Sequence, residues 1–203
     1  MSFELPYSIE VFFSVAESYN ADWFPAAIIG WLAMVMAVAL SQRAPRITGL
    51  ILGGVWVWIG LVHQIQTMAD FNFMARVYGW AWIAQGVGFA VLGGVLSRLS
   101  FQVSKAAVVC VLGGLIVYPL SVLAYGYSWS AVPLAGTMPN PTVLVTAGLL
   151  LAMRGPKVWL AALCVVPLAW GIVAGISAYL LGFPLDYTVP IAMVAAALLR
   201  AWR

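Results

Sequence analysis

LVHQIQTMAD, at residues 61–70, is the place where an apolar run of about twenty residues becomes polar. The stretch contains His63, the single histidine of the chain. A run of this length is typical of a helix that crosses a lipid bilayer, and its polar end then meets water or lipid headgroups. We therefore interpret residues 61–70 as one wall of a polar face at one end of a helical bundle.

Composition indicates an integral membrane protein. Of the 203 residues, 65% are hydrophobic and 7% are charged, whereas about a quarter of the residues of a water-soluble domain are charged. The length leaves room for about seven helices of ~20 residues with short connections. Cys110 and Cys164 each lie inside an apolar run, so no disulfide framework is predicted.

Apolar runs separated by polar breaks predict an all-α protein with about seven transmembrane helices. Pro139 and Pro141 prevent one continuous helix over residues 131–153, because proline removes a backbone donor and disfavours helix before it. We expect an irregular stretch there, followed by a short helix with Asn140 as its N-cap. The seventh span is also short and carries Pro190. The predicted spans are residues 22–40, 47–65, 77–96, 106–125, 141–153, 158–181 and 187–199.

The N-terminal segment has the periodicity of an amphipathic helix. Apolar side chains recur on one face of residues 8–19, Glu10 lies in the first turn, and Ser8 is the expected N-cap. This pattern is typical of a helix that lies in the membrane interface. We divide the chain into an interfacial segment at residues 1–21 and a single transmembrane bundle at residues 22–203, and we expect no cleaved signal peptide.

The distribution of charge predicts the orientation. Eight basic residues fall on one side of the predicted spans, and only Arg76 falls on the other. By the positive-inside rule the first side is cytoplasmic, which places the N-terminus outside and the C-terminus inside. All acidic residues then lie at or near the outer face. The cytoplasmic basic residues are Arg43, Arg46, Arg98, Lys105, Arg154, Lys157, Arg200 and Arg203, and the acidic residues are Glu4, Glu10, Glu17, Asp22, Asp70 and Asp186.

Polar residues at the outer ends of the spans form the candidate ligand-binding site. His63, Gln66 and Asp70 are three and four residues apart, so they share one face if the helix continues that far. We expect them to converge with polar groups from the first, fifth and seventh spans in an outward-facing pocket roofed by the interfacial helix. The alternative is that these groups only meet headgroups and water. The candidate set is Asp22, His63, Gln66, Asp70, Asn140 and Asp186.

The sequence argues against most cofactors and reactions. The seventh span has no lysine for retinal, and a single histidine cannot provide two axial ligands for haem. No phosphate-binding loop or nucleophile motif is present, so we expect no enzymatic activity and assign no cofactor. A copper site of His63 with Met68, Met74 and Met138 is an open alternative, because soft thioethers suit Cu(I), although nothing in the sequence fixes their spacing.

Small, aromatic and amide side chains inside the spans predict close packing between helices. Gly49 and Gly53 form a pair that lets a neighbouring helix approach. We expect Trp56 and Trp58 to pack between helices. We expect Gln85, an uncharged amide within the third span, to form a hydrogen bond with a neighbouring helix.

Three patches of the sequence carry a family resemblance. Residues 19–25 read YNADWFP, residues 139–151 join PNPT to TAGLLL, and residues 167–186 run from PLAW to LGFPLD. Together they resemble an uncharacterised family of small polytopic bacterial inner-membrane proteins of unknown function. The resemblance implies a multi-pass fold in that membrane and no particular activity. A cysteine often stands between the two prolines in that family, where this chain has Asn140, so the resemblance implies no thiol chemistry there.

Two classes of function fit these observations. The first is a small transporter or channel for a cation or small solute, because short proline-marked spans point to binding sites in transporters and acidic groups gather at one mouth. The second is a non-catalytic structural or accessory subunit of a larger membrane complex, because packing residues are many and no charge lies deep in a span. Expected partners are the lipid bilayer, a small cation or solute, and a second copy or another membrane subunit, but no nucleic acid.

The predicted orientation can be tested by cysteine labelling in intact cells. In a variant without Cys110 and Cys164, a cysteine introduced next to Arg43 or Arg154 should resist a membrane-impermeant thiol reagent, because both loops are predicted to be cytoplasmic. Cysteines next to Asp70 or Ser128 should react, and after cell lysis the reagent should label all four introduced cysteines equally. Labelling in the opposite sense would reverse the predicted orientation.

Overall fold

The computed structural model describes residues 8–201, with side chains up to residue 199, and this part of the chain is almost entirely helical. Glu4, Arg203 and the side chain of Arg200, which entered the predicted charge distribution, lie outside the described residues. The helices of the described chain are α1 (Ile9–Asp22), α2 (Phe24–Leu40), α3 (Pro45–Trp58), α4 (Ala75–Gly88), α5 (Lys105–Leu112), α6 (Tyr118–Ala124), α7 (Pro139–Ala152), α8 (Lys157–Leu181) and α9 (Thr188–Ala201).

Shorter helical segments extend or join these helices. A π-helix, Ile59–Thr67, continues α3 and is followed by the 3-10 turn Met68–Asp70. A second π-helix, Phe89–Val95, continues α4, and a third, Gly113–Val117, joins α5 to α6. Further 3-10 turns are Trp129–Ala131 and Pro184–Tyr187.

The all-α prediction is confirmed, and each predicted span corresponds to a helical segment whose ends differ from it by at most two residues, not counting the 3-10 turns that extend the second and precede the seventh. Within residues 8–201, three helices are long and apolar enough to cross a membrane, or four if α1 and α2 count as one bent span. These three are Pro45–Asp70, Lys105–Ala124 and Lys157–Leu181, whereas 139–152 and 184–199 are apolar but shorter. Seven crossings and the orientation therefore stay predictions.

Helix α1 begins at the predicted cap and turns sharply into α2. The Val11 N–H donates to the Ser8 hydroxyl at 3.5 Å, which confirms Ser8 as the N-cap. A separate side-chain hydrogen bond between Ser8 and Glu10 holds the pKa of Glu10 below its ordinary value, which keeps a negative charge at the start of the helix dipole. The axes of α1 and α2 differ by 92°. That bend suits an interfacial helix followed by a span, although the membrane position of α1 stays a prediction.

Helices α3 and α4 pack through an antiparallel row of glycines. A Cβ atom added to Gly53 would lie 2.9 Å from the backbone oxygen of Gly86, and one added to Gly60 would lie 2.6 Å from that of Gly79. Any larger residue at these positions would separate the two helices. The close approach predicted from Gly49 and Gly53 is confirmed. The pairs are Gly49 with Gly93, Gly53 with Gly86, and Gly60 with Gly79.

The short helix α7 forms the centre of the fold. All of its residues except Asn140 are buried. Gly148 lies against the backbone of α5 at Ala107, and Gly114 of the third π-helix lies against Pro141 at the other end. At 1.5 Å per residue the helix is only about 21 Å long, which is less than the ~30 Å hydrocarbon core of a bilayer.

The chain enters α7 through an irregular segment, as the prolines predicted. After the 3-10 turn, residues 132–138 contain Gly136 at φ +101, a conformation that favours glycine. The Gly136 N–H donates to the Thr142 hydroxyl at 2.8 Å. The predicted N-cap is wrong, however, because Met138 holds that position and Pro139 begins the helix. Proline suits the first position of a helix, so α7 starts before Asn140 and leaves its side chain free for other contacts.

Two prolines inside helices are compensated by donors from other helices. Pro167 of α8 cannot donate to the Leu163 carbonyl, and the Gln85 amide of α4 donates to that oxygen instead at 3.1 Å. The Val166 N–H in turn donates to Gln85 Oε1 at 3.4 Å. The predicted interhelical bond of Gln85 is therefore confirmed, and its cause is the proline.

The same arrangement occurs in α6. Pro119, in the first turn of α6, supplies no N–H to the turn before it, and Trp31 Nε1 of α2 donates to the Leu115 carbonyl of that turn at 3.2 Å. In a low-dielectric interior, an unpaired backbone carbonyl is costly. The side-chain hydrogen bonds of Gln85 and Trp31 therefore pair a carbonyl next to a proline and also hold two helices together.

A two-residue strand pair was not predicted. Strand β1 (Ser100–Phe101) pairs antiparallel with β2 (Met153–Arg154), so that Ser100 lies opposite Arg154. The Arg154 guanidinium donates to the Met153 carbonyl at 3.1 Å, and that of Arg46 donates to the Gly94 carbonyl at 3.3 Å. These basic groups satisfy carbonyls at the ends of α7 and of the second π-helix.

Stability measurements can test the bond between α4 and the break in α8. Gln85→Leu should lower the free energy of unfolding by about 1 kcal/mol, within the range of such bonds in membrane proteins. In a Pro167→Ala background the backbone N–H returns, and the same change should cost close to nothing. Denaturant unfolding in detergent micelles measures both, with the exposed Gln102→Leu as a matched control. Equal costs in the two backgrounds would contradict this role of Gln85.

Candidate ligand-binding cavity

A cavity lies at the end of the bundle where α7 begins. Its volume of about 70 Å³ is enough for a few water molecules. Helix α1, the π-helix after α3, the start of α7, the middle of α8 and the turn before α9 all contribute to the wall. The polar lining residues are His63, Gln64, Asn72, Tyr78, Tyr118, Asn140, Trp170, Ser177 and Asp186.

Asp186 is the acidic group of this cavity. It lies in the 3-10 turn Pro184–Tyr187, ahead of α9, and only 2% of its surface is exposed. The Tyr118 hydroxyl donates a short hydrogen bond to its Oδ1 atom. Among the described cavity-lining residues there is no Lys or Arg. A carboxyl group so far from water needs hydrogen bonds, a proton or a cationic partner.

Asn140 connects this carboxyl group to the centre of the bundle. Its Nδ2 atom donates to the Tyr118 hydroxyl at 3.3 Å, and its Oδ1 atom accepts from Trp170 Nε1 at 2.8 Å. An indole N–H can only donate, so the amide orientation is determined by the network. The result is a continuous hydrogen-bonded chain from Trp170 in α8 through Asn140 and Tyr118 to Asp186.

His63 approaches the cavity from the first π-helix. Its side chain is 6% exposed and meets the ring of Tyr19 edge to face at a centroid distance of 5.1 Å. Within the described chain, His63 Nδ1 is buried without a hydrogen-bond partner. Tyr19 itself is fully engaged, since its hydroxyl donates to the Thr137 carbonyl at 3.2 Å and accepts from Trp58 Nε1 at 3.1 Å.

The π-helix explains why the predicted face differs from the observed one. Its hydrogen bonds run from residue i to i+5, so side chains five apart, such as His63 and Met68, come to one side. Gln66 and Asp70 would share a face with His63 only in a regular α-helix. π-Helical turns are common at functional sites.

The structure brings together three of the six candidate residues. His63, Asn140 and Asp186 line the cavity. Asp22, Gln66 and Asp70 are exposed and lie outside its lining. Asp22 is the last residue of α1, at the bend, and Asp70 ends the 3-10 turn after the π-helix. The candidate site is therefore smaller and more deeply buried than the sequence predicted.

Tyr118 and Trp170 also line the candidate cavity, although the sequence analysis did not identify them. Each lies next to a helix irregularity, Tyr118 directly before Pro119 and Trp170 one turn after Pro167. In the sequence, an aromatic residue with a polar group beside a proline within an apolar run could have indicated both positions. Gln64 and Asn72 also line the cavity; Gln64 lies within residues 61–70, next to His63, and Asn72 lies two residues beyond them.

Helix α1 covers the segment that leads into α7. The Asn20 amide donates to the Ser130 and Val132 carbonyls at 2.7 and 3.0 Å. Glu17 accepts a short hydrogen bond from Ser130 and one from Ser128 at 3.2 Å. Phe12, on an earlier turn of the helix, lines the cavity itself. Helix α1 therefore covers one side of the cavity through Phe12 and packs on the segment before α7 through Glu17 and Asn20.

Metal binding has limited support in this geometry. Among the described residues, no group of three or more His, Cys, Asp and Glu side chains is close enough to hold an ion. For the copper alternative, His63, Met68 and Met138 line the cavity, but Met74 does not. Two of the three predicted thioethers therefore line the same cavity as the imidazole.

Substitution of Asn140 should lower stability more than substitution of a candidate residue that the structure leaves exposed. Asn140→Leu removes the acceptor of Trp170 and a donor to Tyr118, so we expect a loss of about 1–3 kcal/mol in the free energy of unfolding. Gln66→Leu, at an exposed position, should change it by less than about 0.5 kcal/mol. Denaturant unfolding in micelles provides the comparison. A larger loss for Gln66→Leu would contradict the observed arrangement.

Comparison with known proteins agrees with the resemblance seen in the sequence. The profile of the DUF6064 family, described as a family of unknown function, matches residues 9–203. The match includes α1, the whole bundle and every residue that lines the cavity. No curated protein and no solved structure matches the chain. The chain therefore belongs to the DUF6064 family, whose function is unknown.

Proposed function

We propose that this protein is a small transporter or channel of the bacterial inner membrane that binds a cation or small polar solute in the cavity at the start of α7. The observation that carries the proposal is Asp186, a carboxyl group 2% exposed that lines a cavity whose described lining includes no Lys or Arg. A group of this kind inside a membrane protein is expensive to bury and commonly marks a path for ions or substrates.

The helices around the cavity support this proposal. Helix α7 is too short to cross a bilayer by itself, and an irregular segment precedes it at the cavity. Transporters commonly build their sites from interrupted helices of this type, because irregular backbone at membrane depth must be buried or line a wet cavity. By the positive-inside rule the cavity faces outward, and α1 covers its side.

Enzymatic activity is not part of the proposal. The hydrogen-bonded chain from Trp170 to Asp186 contains one carboxyl group and no activated nucleophile. Its groups suit the orientation of a bound polar solute, since each has a defined donor or acceptor direction.

The second candidate function is that of an accessory subunit in a larger membrane complex. It is favoured by exposed rings on several helices and loops, among them Phe73, Trp80, Trp129 and Tyr179. Lipid contact accounts for such rings equally well. Particle mass after purification in mild detergent separates the two functions, because a subunit retains a stoichiometric partner and a transporter is complete alone or as copies of itself.

Flux measurements test the proposal directly. Purified protein in proteoliposomes should carry at least one of Na⁺, K⁺, small amines or small neutral polar solutes above the rate of empty vesicles. Asp186→Asn and His63→Ala should each lower that flux at least about tenfold, the effect of losing roughly 1.4 kcal/mol of binding. Asp22→Asn and Asp70→Asn, which change exposed carboxyl groups outside the cavity, serve as controls and should leave it unchanged.

Two results would contradict the proposal. One is the absence of flux for every member of this solute panel in folded, reconstituted protein. The other is a flux that the cavity variants leave unchanged while Asp22→Asn or Asp70→Asn removes it.

A further inference from the structure

We propose that the ligand of this cavity is a small primary ammonium ion, an amine of a few carbons in its protonated form. This inference rests on the proposed function and specifies its substrate class. Four features of the cavity carry it: the sign of its charge, its shortage of metal ligands, its aromatic lining and its hydrogen-bond acceptors.

The charge of the lining favours a cation. Asp186 is the acidic residue among the described lining side chains, and none of them is Lys or Arg. The start of α7 is a poor anion site, although helix N-termini commonly bind anions through free N–H groups. Pro139 and Pro141 have no N–H, and the Met138 N–H already donates to the Leu134 carbonyl at 3.0 Å. Only the Asn140 N–H remains in the first turn.

The ligand set argues against a divalent metal ion. Ca²⁺ takes six to eight oxygen ligands and Mg²⁺ near-octahedral coordination. Here one carboxyl group is available, and the Asn140 oxygen already accepts from Trp170. Within the described residues, no cluster of three His, Cys, Asp or Glu side chains adds to it. A cation that needs only one counter-charge and a few acceptors fits better.

The aromatic lining suits an organic ammonium ion. Phe12, Tyr78, Tyr118 and Trp170 line the same cavity as Asp186. The rings of Tyr78 and Trp170 stand at 89° to each other with centroids 5.7 Å apart, which makes an aromatic corner. Cations bind to the faces of aromatic rings, and they bind more strongly when water is excluded.

Hydrogen-bonding capacity selects a primary ammonium rather than a quaternary one. The imidazole of His63 is buried at the wall, and its Nδ1 atom has no partner among the described residues. Asp186 provides a second acceptor. A primary ammonium has three N–H donors to offer these groups, whereas a quaternary ion has none. The cavity of about 70 Å³ limits the carbon chain to a few atoms.

Binding to purified protein tests the inference. The probes are ethylammonium chloride, with ethanol and KCl as the neutral and inorganic comparisons, at constant ionic strength in detergent. Thermal unfolding should shift upward with ethylammonium in a saturable way and not with ethanol or KCl. Isothermal titration then provides the dissociation constants of the variants.

A matched pair of variants isolates the aromatic contribution. Tyr78→Phe keeps the ring and should bind ethylammonium within about threefold of the parent, whereas Tyr78→Leu should bind roughly five- to thirtyfold more weakly. Asp186→Asn should abolish binding. If Asp186→Asn does not fold, the Tyr78 pair still decides the matter.

Failure of this inference differs from failure of the proposed function. Equal stabilisation by ethanol or KCl, or equal binding by Tyr78→Phe and Tyr78→Leu, overturns the ammonium ligand. If another solute is then carried in proteoliposomes, the proposed transport function stands without the ammonium ligand. Specific binding of ethylammonium with no flux supports the ligand and contradicts transport.

Discussion

The fold depends on the need to pair every backbone carbonyl in an interior that excludes water. Pro119 and Pro167 each remove one N–H donor from a helix, and Trp31 and Gln85 of other helices donate to carbonyls in the turn before each proline. Each proline in a helix is therefore accompanied by a hydrogen bond from another helix. In a membrane, where water cannot compensate, such hydrogen bonds decide which helices lie side by side.

Close backbone packing is the complement of these hydrogen bonds. Glycines let α3 approach α4, and they let α5 approach the central helix α7, until backbone meets backbone. The bundle can then surround a helix that is itself too short to cross a bilayer. Because α7 is short, its N-terminus leaves the space that becomes the cavity, and Pro133 and Met138 of the irregular segment line one side of it. The candidate site is thus a result of how the bundle packs.

The sequence predicted the helical segments well, because long apolar runs and prolines are local signals. It could not predict which polar residues meet. Asn140 was expected to cap α7, but a proline took the first helical position and turned that amide toward Trp170. Gln66 and Asp70 were expected beside His63 because periodicity assumes 3.6 residues per turn, and the π-helix does not keep that spacing. Non-local packing determined these outcomes, and no local pattern encodes it.

The π-helix around His63 also bears on how the family can vary in length. A π-turn holds one more residue than the α-turn it replaces, so it absorbs an insertion without disturbing the helix before it. The contact of Gly60 with Gly79 precedes His63 and would survive the loss of one residue from 64–67. After such a deletion Met68 would stand four residues from His63, and residues four apart share one face of a regular α-helix, so the two side chains would stay on the same side. Gaps in related sequences at this position would therefore identify relatives that lack the π-turn but keep both residues at the cavity.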